Sequence, residues 1–237
     1  MNWDPVTAVL FDLDGVLTPT ATVHMRAWEV MFTRVLDQQP NPMSPYTDQD
    51  YFAYIDGKPR YEGVQSFLDA HGIDLPQGEP SDPPERQTVC GLGNRKNEIF
   101  NEVLEGEGIR AYPGSLRLVE ALEQRGIAMA VVSSSKNAPV VLSSAGLTER
   151  FPVLVDGTVA TREQLPGKPR PDTYRYAAEQ LGHDPAGCVV VEDAVSGVQA
   201  GAAGGFARVI GVDRGAGRQV LLDAGADEVV SDLAELI

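Results

Sequence analysis

The chain has 237 residues, of which 43% are hydrophobic and 22% are charged, so it can form a substantial core and is not disordered throughout. Its 19 basic and 34 acidic residues give a net charge of −15, and this excludes the basic surface that nucleic acid requires and disfavours an anionic membrane. Two cysteines are too few for a disulfide framework, and no long apolar run or signal-peptide pattern occurs. We therefore expect a soluble, cytoplasmic monomer with no nucleic-acid or membrane partner.

The first predicted strand, residues 6–11, is followed by a long stretch of a different, mostly helical character. Residues 22–36 predict a helix because its apolar residues form one stripe, consisting of Val23, Ala27, Val30, Met31 and Val35. Residues 61–70 predict a second helix and 98–104 the end of a third, whereas four prolines between 72 and 88 predict a loop or a broken turn. We interpret residues 21–105 as an inserted helical cap.

The second half of the chain alternates short apolar runs with helical patterns. The apolar runs predict further strands at 127–132, 153–155, 189–191 and 207–212. The periodic segments predict helices at 115–124, 138–145, 171–181 and 194–203. This alternation predicts an α/β fold, a Rossmann-like parallel sheet with helices on both faces, formed by residues 1–20 and 106–237.

Two carboxylates, Asp12 and Asp14, follow the first strand directly, and Gly15 comes next. Residues i and i+2 of an extended segment share a face, so both acids can project into one site. Crowded carboxylates need a cation or a shared proton. One Asp could attack phosphorus to form an aspartyl-phosphate, while the other transfers protons. The alternative is a solvated acidic turn.

Three more polar segments follow predicted strands or open predicted helices, at the sheet edge where open α/β folds bind ligands. Ser133 to Asn137 offers hydroxyl and backbone N–H groups for an anion, or simply a helix cap. Lys168 lies between Gly167 and Pro169 and is either a fixed cation for a phosphoryl group or a solvated lysine. The adjacent acids Glu192 and Asp193 suit a hard cation such as Mg²⁺, or complement a helix dipole.

With these four segments in this order, the chain resembles the haloacid dehalogenase superfamily of phosphotransferases, and more closely its β-phosphoglucomutase branch. The resemblance implies that Asp12 is the nucleophile and Asp14 the general acid/base. It places Mg²⁺ on the Asp12 carboxylate, the Asp14 main-chain carbonyl and Asp193, with Glu192 beside them. It also implies that Ser133 and Lys168 bind the phosphate being transferred.

The same resemblance implies a substrate site in the cap that closes over a sugar phosphate. Thr20, His24 and Trp28 match positions that couple cap closure to binding. Gly57 and Arg60 match a loop whose arginine binds the second, non-transferring phosphate, and Lys96 and Asn97 match another substrate-facing segment. On the core side, that subsite corresponds to Ser134, Ser135, Lys136 and Asn137. The alternatives to a role in substrate binding are purely structural: His24 could pack at a domain interface, Trp28 could pack there or in the core, and Lys96 could be an ordinary surface cation.

Several positions depart from the family pattern and leave the exact sugar open. Pro19 stands where relatives often have an acid, Gly63 lacks a hydroxyl found in some members, and Ala194 stands where serine often follows the two acids. The expected activity is Mg²⁺-dependent interconversion of β-glucose 1-phosphate and glucose 6-phosphate through the 1,6-bisphosphate. A sugar-phosphate phosphatase and a non-catalytic sugar-phosphate sensor are the alternatives.

Overall fold

The structure is a computed structural model that describes the backbone of residues 2–237 and their side chains except those of residues 21 and 105–107. The chain divides into two compact units. The core unit contains the residues up to Pro19 together with Ile109–Ile237, and the cap unit is Thr20–Gly108. The predicted bounds of the cap, residues 21–105, differ from those of the cap unit by one residue at the start and by three at the end.

The core unit contains one parallel sheet of six strands in the order β3-β2-β1-β4-β5-β6. The strands are β1 (Ala8–Phe11), β2 (Ala128–Val132), β3 (Val153–Val155), β4 (Cys188–Glu192), β5 (Arg208–Val212) and β6 (Glu228–Val230). Both β1 and β4 are completely buried, as the apolar sequences of β1 and of residues 188–191 require in a sheet covered on two faces.

The register of the sheet brings three strand ends to the same level. Phe11 of β1 pairs with Val131 of β2 on one side and with Val191 of β4 on the other. The residues that follow these three strands therefore meet at one edge. Because the strand order reverses around β1, this edge is also the topological switch point at which open α/β sheets bind ligands.

Helical segments of the core unit connect successive strands, as a parallel sheet requires. Among them, α8 (Asp172–Leu181) packs against β1, β2 and β3. The others are α5 (Pro113–Gln124), α6 (Ala138–Ser144), α7 (Gly157–Arg162), α9 (Val195–Ala203) and α10 (Arg218–Asp223). Pro113 opens α5, where a missing N–H costs nothing. Short single-turn helices lie at Thr148–Arg150, Pro185–Gly187 and Leu233–Leu236.

The cap unit is helical, as the sequence predicts. Its helices are α1 (Thr20–Asp37), α2 (Asp48–Asp50), which continues into a π-helical turn at Tyr51–Ile55, α3 (Arg60–Ala70) and α4 (Val89–Glu107). An aromatic stack joins α1 to α3, with 3.7 Å between the ring centroids of Phe32 and Phe67 and 5.4 Å between those of Trp28 and Phe32. Large aromatic rings bury much apolar area, so this stack is the centre of the cap core.

Residues 72–88, which we call the proline-rich loop, form neither helix nor strand apart from isolated turns, and they are tied to α4. The backbone N–H groups of Val89 and Cys90 donate to the carbonyls of Pro76 and Gln77. Thr88 caps α4, since its Oγ1 accepts the Gly91 N–H at 2.9 Å. The loop is therefore held against α4 by hydrogen bonds and is an integral part of the cap unit.

Short elements are where the sequence prediction is incomplete. It omits β6, α7 and α10, which have three, six and six residues. It also recovers only the second half of α4, because the first half begins Val89-Cys90-Gly91-Leu92-Gly93 and two glycines weaken a helical pattern. Within the described part of the chain, no helix has the length and apolarity needed to cross a membrane.

Candidate active site

The turn after β1 carries the first two acids. The backbone N–H of Asp12 donates to the Val191 carbonyl at 2.9 Å, which continues the β1–β4 ladder by one residue. Residues 13–18 then form a compact turn, in which Thr18 donates from both its N–H and its hydroxyl to the Leu13 carbonyl. Gly15 has φ +92° and no space for a Cβ, which would overlap the Asp193 carboxylate. Asp12 is 7% exposed, so the motif is not a solvated acidic turn.

Lys168 forms the ion pairs at the centre of the site. Its Nζ lies 2.5 Å from Asp12 Oδ1 and 2.6 Å from Glu192 Oε1, and it also donates to the Val132 carbonyl at 3.1 Å. Burial opposes the charge on Lys168, but the two carboxylates outweigh it and raise the pKa of this ammonium group well above its ordinary value. Lys168 is therefore a buried cation rather than a solvated one.

Asp12 and Asp14 have different surroundings, which is what two acids with opposite tasks require. Burial raises the pKa of Asp12 well above its usual value, Lys168 acts against it, and the negative charges of Glu192 and Asp14 add to it. Asp14 is only partly buried, and its Oδ2 accepts a hydrogen bond from the Ser133 hydroxyl at 3.2 Å. Ser133 itself is held in the ladder, since its N–H donates to the Val155 carbonyl.

Glu192 is completely buried and accepts hydrogen bonds on both oxygens. Oε1 accepts from Lys168 and from the Tyr174 hydroxyl at 3.0 Å, while Oε2 accepts the backbone N–H groups of Asp193 and Ala194. Glu192 thus caps the turn that leads into α9 and also belongs to the charged site around Lys168, so it has both a structural role and a place in the site. Gly197 of α9 leaves space for it, because a Cβ there would overlap the Glu192 carboxylate.

The acids form a set that fits a hard divalent cation. Carboxylate oxygens of Asp12, Glu192 and Asp193 all lie within 4.8 Å of one another. Asp12 and Glu192 share the ammonium of Lys168, and Asp14 and Asp193 add further negative charge beside them, an excess that burial makes costly. Oxygen donors at this spacing are those that Mg²⁺ or Ca²⁺ prefers. Because the Glu192 oxygens already accept four hydrogen bonds, Asp12 and Asp193 are the better direct ligands.

The segment after β2 turns tightly beside Ser133. Ser133 Oγ accepts the Ser135 N–H and Ser135 Oγ accepts the Asn137 N–H, both at 3.1 Å. Gly157 approaches this turn so closely that a Cβ would lie 2.7 Å from the Ser134 carbonyl and 3.0 Å from Lys136 Cγ. The segment 133–137 is therefore built by nested hydroxyl turns, and Asn137 at the start of α6 makes no side-chain cap.

In the cap unit, α1 and α4 bring His24, Trp28 and Lys96 together. Lys96 is 3% exposed, and its Nζ contacts His24 Nδ1 and lies 5.1 Å from the Trp28 ring centroid and 4.9 Å from that of Phe100. His24 stacks on Phe100 with 4.1 Å between centroids. Lys96 is thus not an ordinary surface cation, since three aromatic side chains surround it. Thr20, the first residue of α1, is completely buried.

A second cap cluster surrounds Arg60 at the start of α3. Gly57 has φ +68° in the turn before the helix, a conformation that favours glycine. Arg60 Nη2 donates to Asn97 Oδ1 at 3.0 Å and Nη1 to Asn94 Oδ1 at 3.5 Å, and its guanidinium lies 5.9 Å from the Tyr61 ring centroid. Burial lowers the pKa of Arg60, as expected of a cation with neutral partners.

The sequence-predicted residues therefore form three groups. Asp12, Asp14, Ser133, Lys168, Glu192 and Asp193 belong to the core-unit site, with Ser134, Ser135, Lys136 and Asn137 in the adjoining turn. The cap unit holds the Lys96 cluster and the Arg60 cluster separately. Sequence reasoning missed Tyr174, Tyr61 and Asn94. The Tyr174 hydroxyl contacts Glu192, the Asn94 amide contacts Arg60, and the Tyr61 ring lies beside the Arg60 guanidinium. On helical segments, however, these residues are indistinguishable from core aromatics or a surface amide.

Comparisons with known proteins agree with this geometry. Residues 6–205 match the haloacid dehalogenase-like hydrolase family. A β-phosphoglucomutase of Mycobacterium bovis is 46% identical over 244 aligned residues, covering 99% of this chain and 92% of the relative. The chain therefore belongs to the haloacid dehalogenase-like hydrolase family. Within it, the chain is similar along nearly its whole length to a β-phosphoglucomutase, so the predicted superfamily and branch are confirmed, as is the prediction of an enzyme.

Solved structures support the fold. The β-phosphoglucomutase of Clostridium difficile has a TM-score of 0.78 at 23% identity, covering 98% of this chain and 93% of that one, which is a likeness of fold alone. CbbY of Rhodobacter sphaeroides, in complex with xylulose 1,5-bisphosphate, has a TM-score of 0.75 at 25% identity, covering 98% and 96%. The predicted Rossmann-like α/β class is confirmed.

Proposed function

We propose that the chain is a Mg²⁺-dependent β-phosphoglucomutase that interconverts β-glucose 1-phosphate and glucose 6-phosphate through the 1,6-bisphosphate. The observation that carries this proposal is the division of the two acids after β1. Asp12 is buried against Lys168 at 2.5 Å, whereas Asp14 is partly exposed and bonded to Ser133. The similarity to a mutase at 46% identity supports the substrate.

Each acid has one task in the proposed reaction. In the first half, the 6-hydroxyl oxygen of β-glucose 1-phosphate attacks the phosphorus of a phosphorylated Asp12, Asp14 takes the hydroxyl proton, and the bond between phosphorus and the Asp12 oxygen breaks, which gives the 1,6-bisphosphate. The bisphosphate then reorients. In the second half, the freed Asp12 carboxylate attacks the phosphorus at position 1, the bond from that phosphorus to the sugar oxygen breaks, and Asp14 returns its proton to this oxygen. Glucose 6-phosphate leaves, and Asp12 is phosphorylated again.

The remaining residues of the core-unit site would bind the charged phosphate groups and the metal ion. Lys168 and Ser133 would bind the oxygens of the transferring phosphate, since each already contacts one of the two acids. Asp12, Asp193 and the Asp14 carbonyl would hold Mg²⁺, with Glu192 beside them, and the bound ion would neutralise charge on the phosphoryl group. Ser134, Ser135, Lys136 and Asn137 would contact the second phosphate from the core unit.

The cap unit supplies the second argument for a mutase. Among the described residues, the Arg60 guanidinium contacts two asparagine oxygens and an aromatic ring, and no carboxylate forms an ion pair with it. A half-buried cation with neutral partners suits an anion. A mutase must hold a bisphosphate, so we assign Arg60 and Asn97 to the non-transferring phosphate, and Thr20, His24, Trp28, Gly57 and Lys96 to the rest of the substrate site.

The test supplies β-glucose 1-phosphate, Mg²⁺ and a trace of glucose 1,6-bisphosphate and follows both products. Formation of glucose 6-phosphate without inorganic phosphate supports the proposal. Stoichiometric release of phosphate from several sugar phosphates would contradict it. The α anomer of glucose 1-phosphate is the matched control substrate, because it carries the same groups with one centre inverted.

A sugar-phosphate phosphatase on the same fold is the second candidate, and the hydrolase family match favours it. It would use the same core acids with water as the final acceptor. Arg60→Ala distinguishes the two, because a mutase should lose affinity for the bisphosphate whereas a monoester phosphatase needs no second phosphate site.

A non-catalytic sensor of sugar phosphates is tested by Asp12→Asn. An unchanged activity and an unchanged phosphoenzyme signal in this variant would favour a binding protein. The cytoplasmic location, the monomeric state and the absence of nucleic-acid or membrane partners stay predictions from the sequence. Size-exclusion chromatography with light scattering tests the oligomeric state.

A further inference from the structure

Asn94 joins the proline-rich loop to Arg60. Its Oδ1 accepts the Tyr61 hydroxyl at 2.9 Å and Arg60 Nη1 at 3.5 Å. Its Nδ2 donates to the carbonyls of Pro80 at 3.1 Å and Asp82 at 2.8 Å. Since both loop groups can only accept, the amide has one orientation that satisfies every contact, with its oxygen towards Arg60.

We propose that Asn94 is a positioning residue, which the proline-rich loop orients and which in turn fixes the Arg60 guanidinium for an anionic group of the substrate. The inference rests on the proposed function, in which Arg60 binds the phosphate that is not being transferred. In this role Asn94 does not contact the substrate. It sets the affinity for the second phosphate by limiting the orientations of Arg60.

The neutrality of the contact explains why an amide serves here. A carboxylate at this position would hold the guanidinium more tightly, but it would also cancel the charge that an anionic ligand needs. The oxygens of Asn94 and Asn97 fix two corners of the guanidinium and leave its charge intact. The two asparagines lie three residues apart on α4, and therefore on one face of the helix.

The packing around the contact between Asn94 and Arg60 is tight, so the orientation of Asn94 limits that of the Arg60 guanidinium. Gly93 lies against α3, and a Cβ at this position would be 2.7 Å from Tyr61 Cδ1 and 3.2 Å from Arg60 Cδ. On the other side, the loop is anchored by Asp82, which is 4% exposed and accepts the Thr88 hydroxyl at 2.7 Å. The proline-rich loop thus orients Asn94, because the Pro80 and Asp82 carbonyls accept hydrogen bonds from its amide.

The test is a double-mutant cycle on bisphosphate binding, with the Asp12→Asn protein as the background so that no turnover occurs. Calorimetric titration with glucose 1,6-bisphosphate compares that background with Asn94→Ala, Arg60→Met and both changes together. We expect Asn94→Ala to weaken binding about ten-fold when Arg60 is present and less than about two-fold when it is replaced. Asn101→Ala, at an exposed position of the same helix, should have no effect.

A merely structural role gives a different pattern. If Asn94→Ala acts by loosening the cap, the loss is the same whether or not Arg60 is present, and this result would overturn the proposal. In the active enzyme, positioning predicts a raised KM for the sugar phosphate with kcat changed much less. If Asn94→Ala fails to fold, Tyr61→Phe removes only the hydroxyl bond to Asn94 Oδ1, and a measurable loss of affinity confined to proteins with Arg60 is expected.

The inference and the proposed function can fail separately. If the Asp12→Asn protein binds no glucose 1,6-bisphosphate, the proposed substrate is wrong. The same cycle is then run with inorganic phosphate as the probe. Coupling between Asn94 and Arg60 in that titration supports the positioning role, and its absence overturns it.

Discussion

The Tyr174 hydroxyl donates a 3.0 Å hydrogen bond to Glu192 Oε1, the same oxygen that accepts Lys168 at 2.6 Å. Tyr174 is completely buried on α8, and its ring lies 5.1 Å below the Lys168 ammonium. One tyrosine therefore supports both members of a buried ion pair. This fixes the carboxylate so that Lys168 can bridge Glu192 and Asp12.

Tyr174→Phe tests that support, because it removes only the hydroxyl. Hydrogen bonds to charged groups contribute about 1.5–3 kcal/mol, and Glu192 keeps its other donors, so we expect a loss of about 1.5 kcal/mol in the free energy of unfolding. Urea denaturation measures it. Tyr176→Phe on the same helix is the control and should change stability by less than about 0.5 kcal/mol. An equal loss in both variants would show that the hydrogen bond from Tyr174 to Glu192 contributes no more to stability than the hydroxyl of Tyr176 does.

Lys168→Met should be among the most destabilising single changes in the core unit. It leaves the Asp12 and Glu192 carboxylates buried beside each other without their shared cation. Breaking a buried pair costs about 3–5 kcal/mol. We expect urea denaturation in chelator to show a loss of this size, and Mg²⁺ to restore part of it because a divalent cation compensates the same charges. A loss below about 1 kcal/mol would show that the two acids are not both charged.

The sequence predicts the arrangement of the sheet better than the contacts around the site. Apolar runs such as 6–11 and 127–132 predict buried strands, and the acids that follow residues 11 and 191 identify the edge of the sheet where the site lies. Residues such as Tyr174 and Asn94 are missed because their roles depend on a partner distant along the chain; Asn94, for example, lies 33 positions after its partner Tyr61. The strand β6 is missed for another reason, because only two of its three residues are apolar and they do not form a recognisable apolar run.

Gly15→Ala should damage the site more than the fold. Position 15 has φ +92°, and a Cβ there would overlap the Asp193 carboxylate. The left-handed conformation alone costs about 1–2 kcal/mol for alanine. Gly205→Ala is the matched control, because φ is +75° and no atom lies within 4 Å of the added Cβ.

Stability and cation binding separate these two glycines. Urea denaturation should show a similar loss in both variants. Calorimetric titration with Mg²⁺ should show an affinity about 10–100-fold lower for Gly15→Ala and unchanged for Gly205→Ala, the range expected when the support of a metal ligand is moved. Equal Mg²⁺ affinities in the two variants would remove Asp193 from the ligand set.

Asp82 gives the cap unit a stability that depends on pH. Its carboxylate accepts the Thr88 hydroxyl at 2.7 Å, Arg86 Nη1 at 2.7 Å and the Glu79 N–H at 3.1 Å. The Thr88 bond above all, with those from Arg86 and Glu79, holds the pKa of Asp82 below its ordinary value. A carboxyl with a lowered folded-state pKa stabilises the protein above its unfolded pKa of about 3.9, and this contribution is lost as the pH falls through the folded value.

Asp82→Asn should therefore destabilise the protein at neutral pH, and the difference from wild type should shrink as the pH falls from about 5 towards 3. Urea denaturation across this range, monitored by circular dichroism, measures both proteins. Asp74→Asn removes an exposed charge from the same loop and should stay within about 0.5 kcal/mol of wild type at neutral pH. A difference between Asp82→Asn and wild type that stays constant down to the lowest pH would contradict the lowered pKa, because a carboxyl that protonates in the folded protein cannot keep its advantage over an amide.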